Sequence, residues 1–228
     1  SFKSSLGNTT NFTNINLTKL NNTMVNLSLK MACTVPVVGL NIVSTSNTTT
    51  LCPGTFNIPD FPLDSVITIG SNNVIITCAN TKIVKTGTVS GGASDGYGIT
   101  ASDRKNITIN GCYIEDFYND IYFSSVNNFT INNTEFNWSS ITGSGGIIEN
   151  ITAEELTLAD GSDINIYNSS FRGIGTGLDI TNVDNITIRN NTFKGLTGRA
   201  LRIYYSYNVS FYYNQLHDID GDYIYALE

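Results

Sequence analysis

Few side chains in this sequence are equipped for acid–base or metal chemistry, and their spacing limits what they could do. Near the C-terminus the run Asp218-Ile-Asp220-Gly-Asp222 alternates carboxylates around a glycine. Alternate carboxylates with a glycine turn are half of a calcium loop, because Ca²⁺ takes hard oxygen ligands from such positions. The sequence runs out before a bidentate glutamate could complete the loop, so a polar turn is expected and no metal is assigned. Arg189, Arg199 and Arg202 with Asp179 and Asp184 place both signs of charge close together; pairing on the surface is the expected role. His217 is the single histidine. No Gly-x-Ser-x-Gly, phosphate-loop or dinucleotide fingerprint appears in a supporting context, and no cofactor is expected.

The four cysteines, Cys33, Cys52, Cys78 and Cys112, form no CxxC pair. With one histidine a zinc site is not expected, and an even count in a secreted chain reads as disulfides.

The elements that must position these residues are short and turn-rich. Charged residues are only 14% of the 228 and hydrophobic ones 40%. The polar share is carried by Asn, Ser, Thr and Tyr, and asparagine tolerates the left-handed backbone that tight turns need. The formal net charge is −7, opposite to the basic footprint of a nucleic-acid binder. No run of 18 apolar residues suggests a membrane span. The chain starts at Ser1 without a signal-like segment, as a processed or trimmed piece would.

Glycosylation sequons occur at Asn8, Asn11, Asn16, Asn21, Asn26, Asn47, Asn106, Asn128, Asn132, Asn137, Asn150, Asn168, Asn185, Asn190 and Asn208. The five in residues 8–26 lie outside any repeat and favour an extracellular location.

A repeat organises the rest. Asn106-Ile-Thr-Ile, Asn128-Phe-Thr-Ile, Asp163-Ile-Asn-Ile, Asn185-Ile-Thr-Ile and Asn208-Val-Ser-Phe align, with Asn73-Val-Ile-Ile as an earlier member. The unit is 22–23 residues, read off the starts at 106 and 128 and at 185 and 208, and two intervals are longer by about a dozen. Gly91–Gly96 and Gly143–Gly146 sit in those intervals and read as loops extruded from a turn, or as cover for a degenerate strand. Inward positions are Ile107, Ile109, Ile114 and Phe117 in one unit, with Ile164, Ile166, Phe171 and Ile174, then Ile186, Ile188, Phe193 and Leu196 in others. Alternating pairs such as Ile121/Phe123 and Leu201/Ile203 follow. Alternation at period 2 marks strands with one buried face. Three short strands per unit, stacked unit upon unit, make a three-sided parallel coil whose core no single unit could bury.

This pattern, Asn-hydrophobic-Thr-Ile-x-Asn-x-x-Phe, resembles the right-handed parallel β-helix superfamily, which includes pectate-lyase-like and NosD-like proteins. Leu51-Cys52-Pro53-Gly54-Thr55-Phe56 looks like the lead-in to such coils in archaeal and bacterial surface proteins. The resemblance covers roughly residues 33–228 and implies an all-β solenoid. It implies little about activity, since enzymes and structural proteins share the fold. Enzymes of the superfamily use carboxylate clusters on an outer sheet. The equivalent column here, Glu115, Asn137, Arg172, Lys194 and His217, is mixed and sets up no carboxylate pair.

Residues 1–30 lack the repeat and read as a strand-like cap or an exchange segment, with the β-helix over 31–228. Cys33 and Cys52 are 19 apart, about one coil, and Cys78 and Cys112 are 34 apart, close to the local interval of 33; Cys33–Cys52 and Cys78–Cys112 are therefore the expected disulfides. Tyr212, Tyr223 and Tyr225 belong to a tyrosine-rich final stretch suited to an interface, giving head-to-tail self-association. The expected function is a glycosylated structural or adhesive cell-surface module, such as a filament or envelope-layer subunit, rather than an enzyme. The alternatives are a polysaccharide lyase or glycoside hydrolase, or a β-helix that binds carbohydrate without catalysis.

Overall fold

A computed structural model describes residues 33–43, 48–59, 65–87 and 96–227. Among these, every regular element is a β-strand and every pairing is parallel. The N-terminal segment expected to cap or exchange lies outside the described residues, as does most of the Gly91–Gly96 loop.

The strands fall into three ladders. The first begins with Leu40–Ile42, Ser65–Ile69, Tyr97–Ser102 and Asn119–Ser124 and closes with Leu201–Tyr204 and Ile224–Leu227. The second begins with Thr48–Leu51, Val74–Cys78, Lys105–Asn110, Asn127–Asn132 and Ile147–Glu149 and ends at Val209–Tyr212. The third runs through Gly54–Pro59, Thr81–Thr86 and Tyr113–Glu115, later Ser170–Arg172, Thr192–Lys194 and Gln215–His217. Three long strands, Glu135–Ser144, Thr152–Tyr167 and Leu178–Arg189, turn corners without breaking and so belong to more than one ladder.

The axial core is where alternation sends the apolar side chains. Ile107, Ile109, Ile164, Ile166, Ile186 and Ile188 are buried in the second ladder, and Phe136, Phe171 and Phe193 in the third. Phe171 and Phe193 stack with ring centroids 4.8 Å apart, a contact worth about 1 kcal/mol beyond the area it buries.

One corner explains the repeated asparagine. Asn73, Asn106, Asn128, Gly145, Asp163, Asn185 and Asn208 all hold φ between 51° and 70°, a left-handed conformation that Asn, Asp and Gly adopt most readily. Their side chains stack as well: Asn106 Nδ2 donates to Asn73 Oδ1 at 2.6 Å, and Asn128 Nδ2 to Asn106 Oδ1 at 3.3 Å.

Gly145 in this column corrects the reading of the 143–146 stretch. Thr108, Thr130, Ile147, Asn165, Thr187 and Ser210 stand in register up the second ladder, so successive coils take 22, 17, 18, 22 and 23 residues. The long interval is therefore two short coils, not one coil with an extruded loop. Their glycines let backbones approach where a side chain would collide.

Disulfides join Cys33 to Cys52 and Cys78 to Cys112. At the same corner as Cys112 the buried polar groups are satisfied coil to coil: Ser169 N donates to Asn191 Oδ1, and Asn191 N to Asn214 Oδ1, each at 2.9 Å.

Candidate functional site

The two short coils save residues at one place, the corner between the third and first ladders. Below them the chain turns that corner through Asp116, Phe117 and Tyr118; above them through residues 173–177 and 195–200. In between, Asn137–Trp138 and Glu154–Glu155 pass the corner inside continuous strands. The missing corners leave a saddle two coils high, about 10 Å, walled by the protruding corners on either side. Ile174, expected inward, is 63% exposed; its corner stands over the saddle, with no corner segment beneath it to pack on.

Asp120 ties the lower wall to the saddle floor. Its carboxylate is fully buried and accepts N–H groups from Phe117 at 3.1 Å, Asn137 at 2.6 Å and Trp138 at 3.1 Å. Burial pushes its pKa up, and the three N–H groups oppose that rise.

On the third-ladder side the saddle opens into a groove of about 770 Å³ lined by Tyr113, Glu115, Glu135, Asn137, Glu154, Arg172 and Lys194. Much of its charge is spent internally. Lys82 Nζ lies 2.7 Å from Glu115, whose other oxygen accepts the Tyr113 hydroxyl at 2.6 Å. Burial would raise the Glu115 pKa, but those two partners bring it below the usual value. Arg172 pairs with Glu135 at 3.1 Å. Glu154 has its pKa raised by burial and by nearby Asp116, with Arg172 working against the rise, and burial raises Asp116 too.

On the first-ladder side lies a groove of about 520 Å³ lined by Tyr97, Tyr118, Tyr122, Trp138, Glu155 and Thr157. Tyr97 and Tyr122 stack at 5.0 Å between centroids, and Tyr118 meets Tyr97 edge-on at 6.1 Å. Trp138 and Glu155 are paired in register on neighbouring coils. The groove is thus an aromatic wall with one carboxylate, open along the solenoid surface.

The residues singled out from sequence are distributed differently. The mixed column of Glu115, Asn137, Arg172, Lys194 and His217 does stack, and gains Glu154 from the unrecognised short coil. Arg202 is held by Asp179 on the first ladder, Arg199 pairs with Asp222 at 3.2 Å, and Arg189 covers the Tyr167 ring on the second ladder. They form no common cluster, and Asp184 joins none of these pairs. Asp218 and Asp220 are exposed, and among the described residues no three His, Cys, Asp or Glu side chains gather to hold a metal.

Tyr212 and Tyr223 are exposed, whereas Tyr225 lies 4.4 Å beneath the Arg199 guanidinium. Of the sequon asparagines, Asn106, Asn128, Asn185 and Asn208 stand in the corner column and Asn150 donates to Asn132 at 3.2 Å. Asn8 to Asn47 fall outside the described residues. The aromatic groove was not foreseen. Its signal was the chain's one tryptophan, inside a sequon and a strand-like stretch, but its neighbours become apparent only once the short coils are counted.

A family model described as the right handed beta helix region matches residues 64–227. Two solved structures are similar in part. The A-module of the Azotobacter vinelandii mannuronan C-5 epimerase AlgE6 is 12% identical, with 80% of this chain and 71% of that chain covered and a TM-score of 0.42. The AlgE4 A-module from the same organism is 12% identical over 79% of this chain and 88% of that one, with a TM-score of 0.29. No curated protein matches the sequence.

Proposed function

The chain belongs to the right-handed β-helix family, and on that scaffold we propose that it is an extracellular adhesive module that lays a carbohydrate chain in the aromatic groove. The carrying observation is the Tyr97–Tyr122 stack beside Trp138 in one open groove. Sugar rings present flat C–H faces that pack on aromatic rings, and an open groove admits a polymer at any point along its length. Two disulfides fit an oxidising compartment, and the sequons fit a glycosylated surface protein. Glycan-array binding tests the reading: the intact chain retains a set of glycans, and Trp138→Ala loses them while keeping its melting temperature. Retention unchanged in Trp138→Ala rules the groove out.

A second reading, hydrolysis or elimination on a polysaccharide, draws support from the raised pKa of Glu154 in the neighbouring groove, where burial and the nearby Asp116 charge both act on it. Turnover of a polysaccharide that Glu154→Gln abolishes would establish it.

Self-association is the proposed partner mode. Tyr223 and Ile224 are 54% and 48% exposed near the last strand, and residues 1–30 are the proposed exchange segment. A chain lacking residues 1–30 that still forms the same assemblies counts against it.

A further inference from the structure

Among the described residues Glu155 is the one acidic side chain lining the aromatic groove, beside Trp138 in the pairing register. Ion pairs among the described residues engage Glu115, Glu135, Asp179 and Asp222. Glu155 instead accepts the backbone N–H of Thr176. The cation acting on it, Arg202, is bonded to Asp179 through its Nε and Nη2. A half-buried carboxylate that shares its cation with Asp179 is incompletely compensated, and a second cation arriving beside it restores the balance. The surrounding rings act in the same direction, because the face of each tyrosine or tryptophan carries negative quadrupole density. The net charge of −7 adds a long-range bias toward cations and against polyanions.

We propose that the groove selects amino sugars: a polysaccharide whose hexosamine units carry free ammonium groups, seated with a ring face on Trp138 and an ammonium against Glu155. This rests on the carbohydrate-binding reading above and names its ligand class. Acetylating the amine removes the charge and leaves the ring intact, whereas a uronate reverses the charge, so the three ligands separate shape from electrostatics.

The test is titration calorimetry on the intact chain with three oligosaccharides of equal length: β-1,4-linked glucosamine, its N-acetylated counterpart and galacturonate, at a pH where the amines are protonated. The expected result is glucosamine binding about tenfold tighter than the N-acetylated oligomer, a cation–π and ion-pair margin that falls with salt. Glu155→Gln should erase that margin. Equal or tighter binding of the N-acetylated or uronate oligomer overturns the amino-sugar assignment and leaves carbohydrate binding standing. If none of the three binds, the amino-sugar assignment falls, and the carbohydrate reading is decided by the glycan array and Trp138→Ala.

Discussion

Gly145 lies directly over Asn128: a β-carbon on Gly145 would sit 2.5 Å from the Asn128 side-chain oxygen. The corner column that asparagine builds elsewhere passes here through a glycine, which keeps the left-handed turn and omits the side chain. Two coils below the usual length are stacked this way without breaking the ladder.

Substitution at these glycines should be costly. At Gly143, φ is 142° and a β-carbon would fall 1.8 Å from the Val126 carbonyl oxygen, so both the conformation and the space forbid it. Gly143→Ala should lose about 3 kcal/mol or more, and Gly145→Ala about 1–2 kcal/mol, in urea unfolding. Equal stability in Gly143→Ala would show that the short coil is not built as described.

The asparagine column makes a graded prediction. Asn106 holds φ 58° and bonds to Asn73 below and Asn128 above. Asn106→Ala should cost about 2 kcal/mol, from a left-handed alanine and lost hydrogen bonds. Asn106→Gly should cost about 1 kcal/mol, since only the hydrogen bonds go. Denaturant midpoints that rank the two variants in reverse would count against the column.

Replacing Cys78 and Cys112 together with alanine opens a link across 34 residues. The loop-entropy account expects a loss of about 3–4 kcal/mol, read as a lower melting temperature than that of the oxidised wild-type chain.

Most of the fold was legible because burial repeats. Ile107, Ile109 and their equivalents recur at fixed spacing because each coil rests on the last, and the cysteine intervals follow that spacing. The short coils were not legible, because Gly145 removes the asparagine that marks a coil's start, and the two together imitate one long interval. The groove went with them. Trp138 and Glu155 are brought side by side by a 17-residue offset, and Tyr97 reaches them through steps of 22 and 18 residues. Ile174 was misplaced for the same reason: the repeat assigns it inward, but the coil below supplies no corner.

Glu155 should reveal itself in the pH dependence of stability. Burial, its largest influence, raises its pKa above the usual glutamate value of 4.5. The folded chain therefore holds this proton to higher pH than the unfolded chain. Its contribution favours folding at low pH and declines as pH rises through the window above 4.5. Glu155→Gln should be more stable than wild type at neutral pH, with the difference narrowing on acidification. A difference that widens toward acid would reverse the assignment.

Glycan occupancy should divide along the same geometry. Asn106 and Asn128 lie one coil apart in the same column, about 5 Å, with Asn106 Oδ1 accepting from Asn128 Nδ2. Asn185 and Asn208 share the next such step. Peptide mapping of the glycosylated protein should find sugar at several sequons among Asn8 to Asn26 and only partial occupancy at these stacked pairs. A chain with every stacked asparagine fully modified would contradict this.

The saddle exists because chain was taken away rather than added. Most binding loops are extra material that must be ordered when a ligand arrives, and that ordering weakens affinity. Here the floor is continuous strand, hydrogen-bonded above and below, and Asp120 fastens one wall to it. Among the described residues the cleft carries no flap, and its strand floor is already ordered before a ligand arrives.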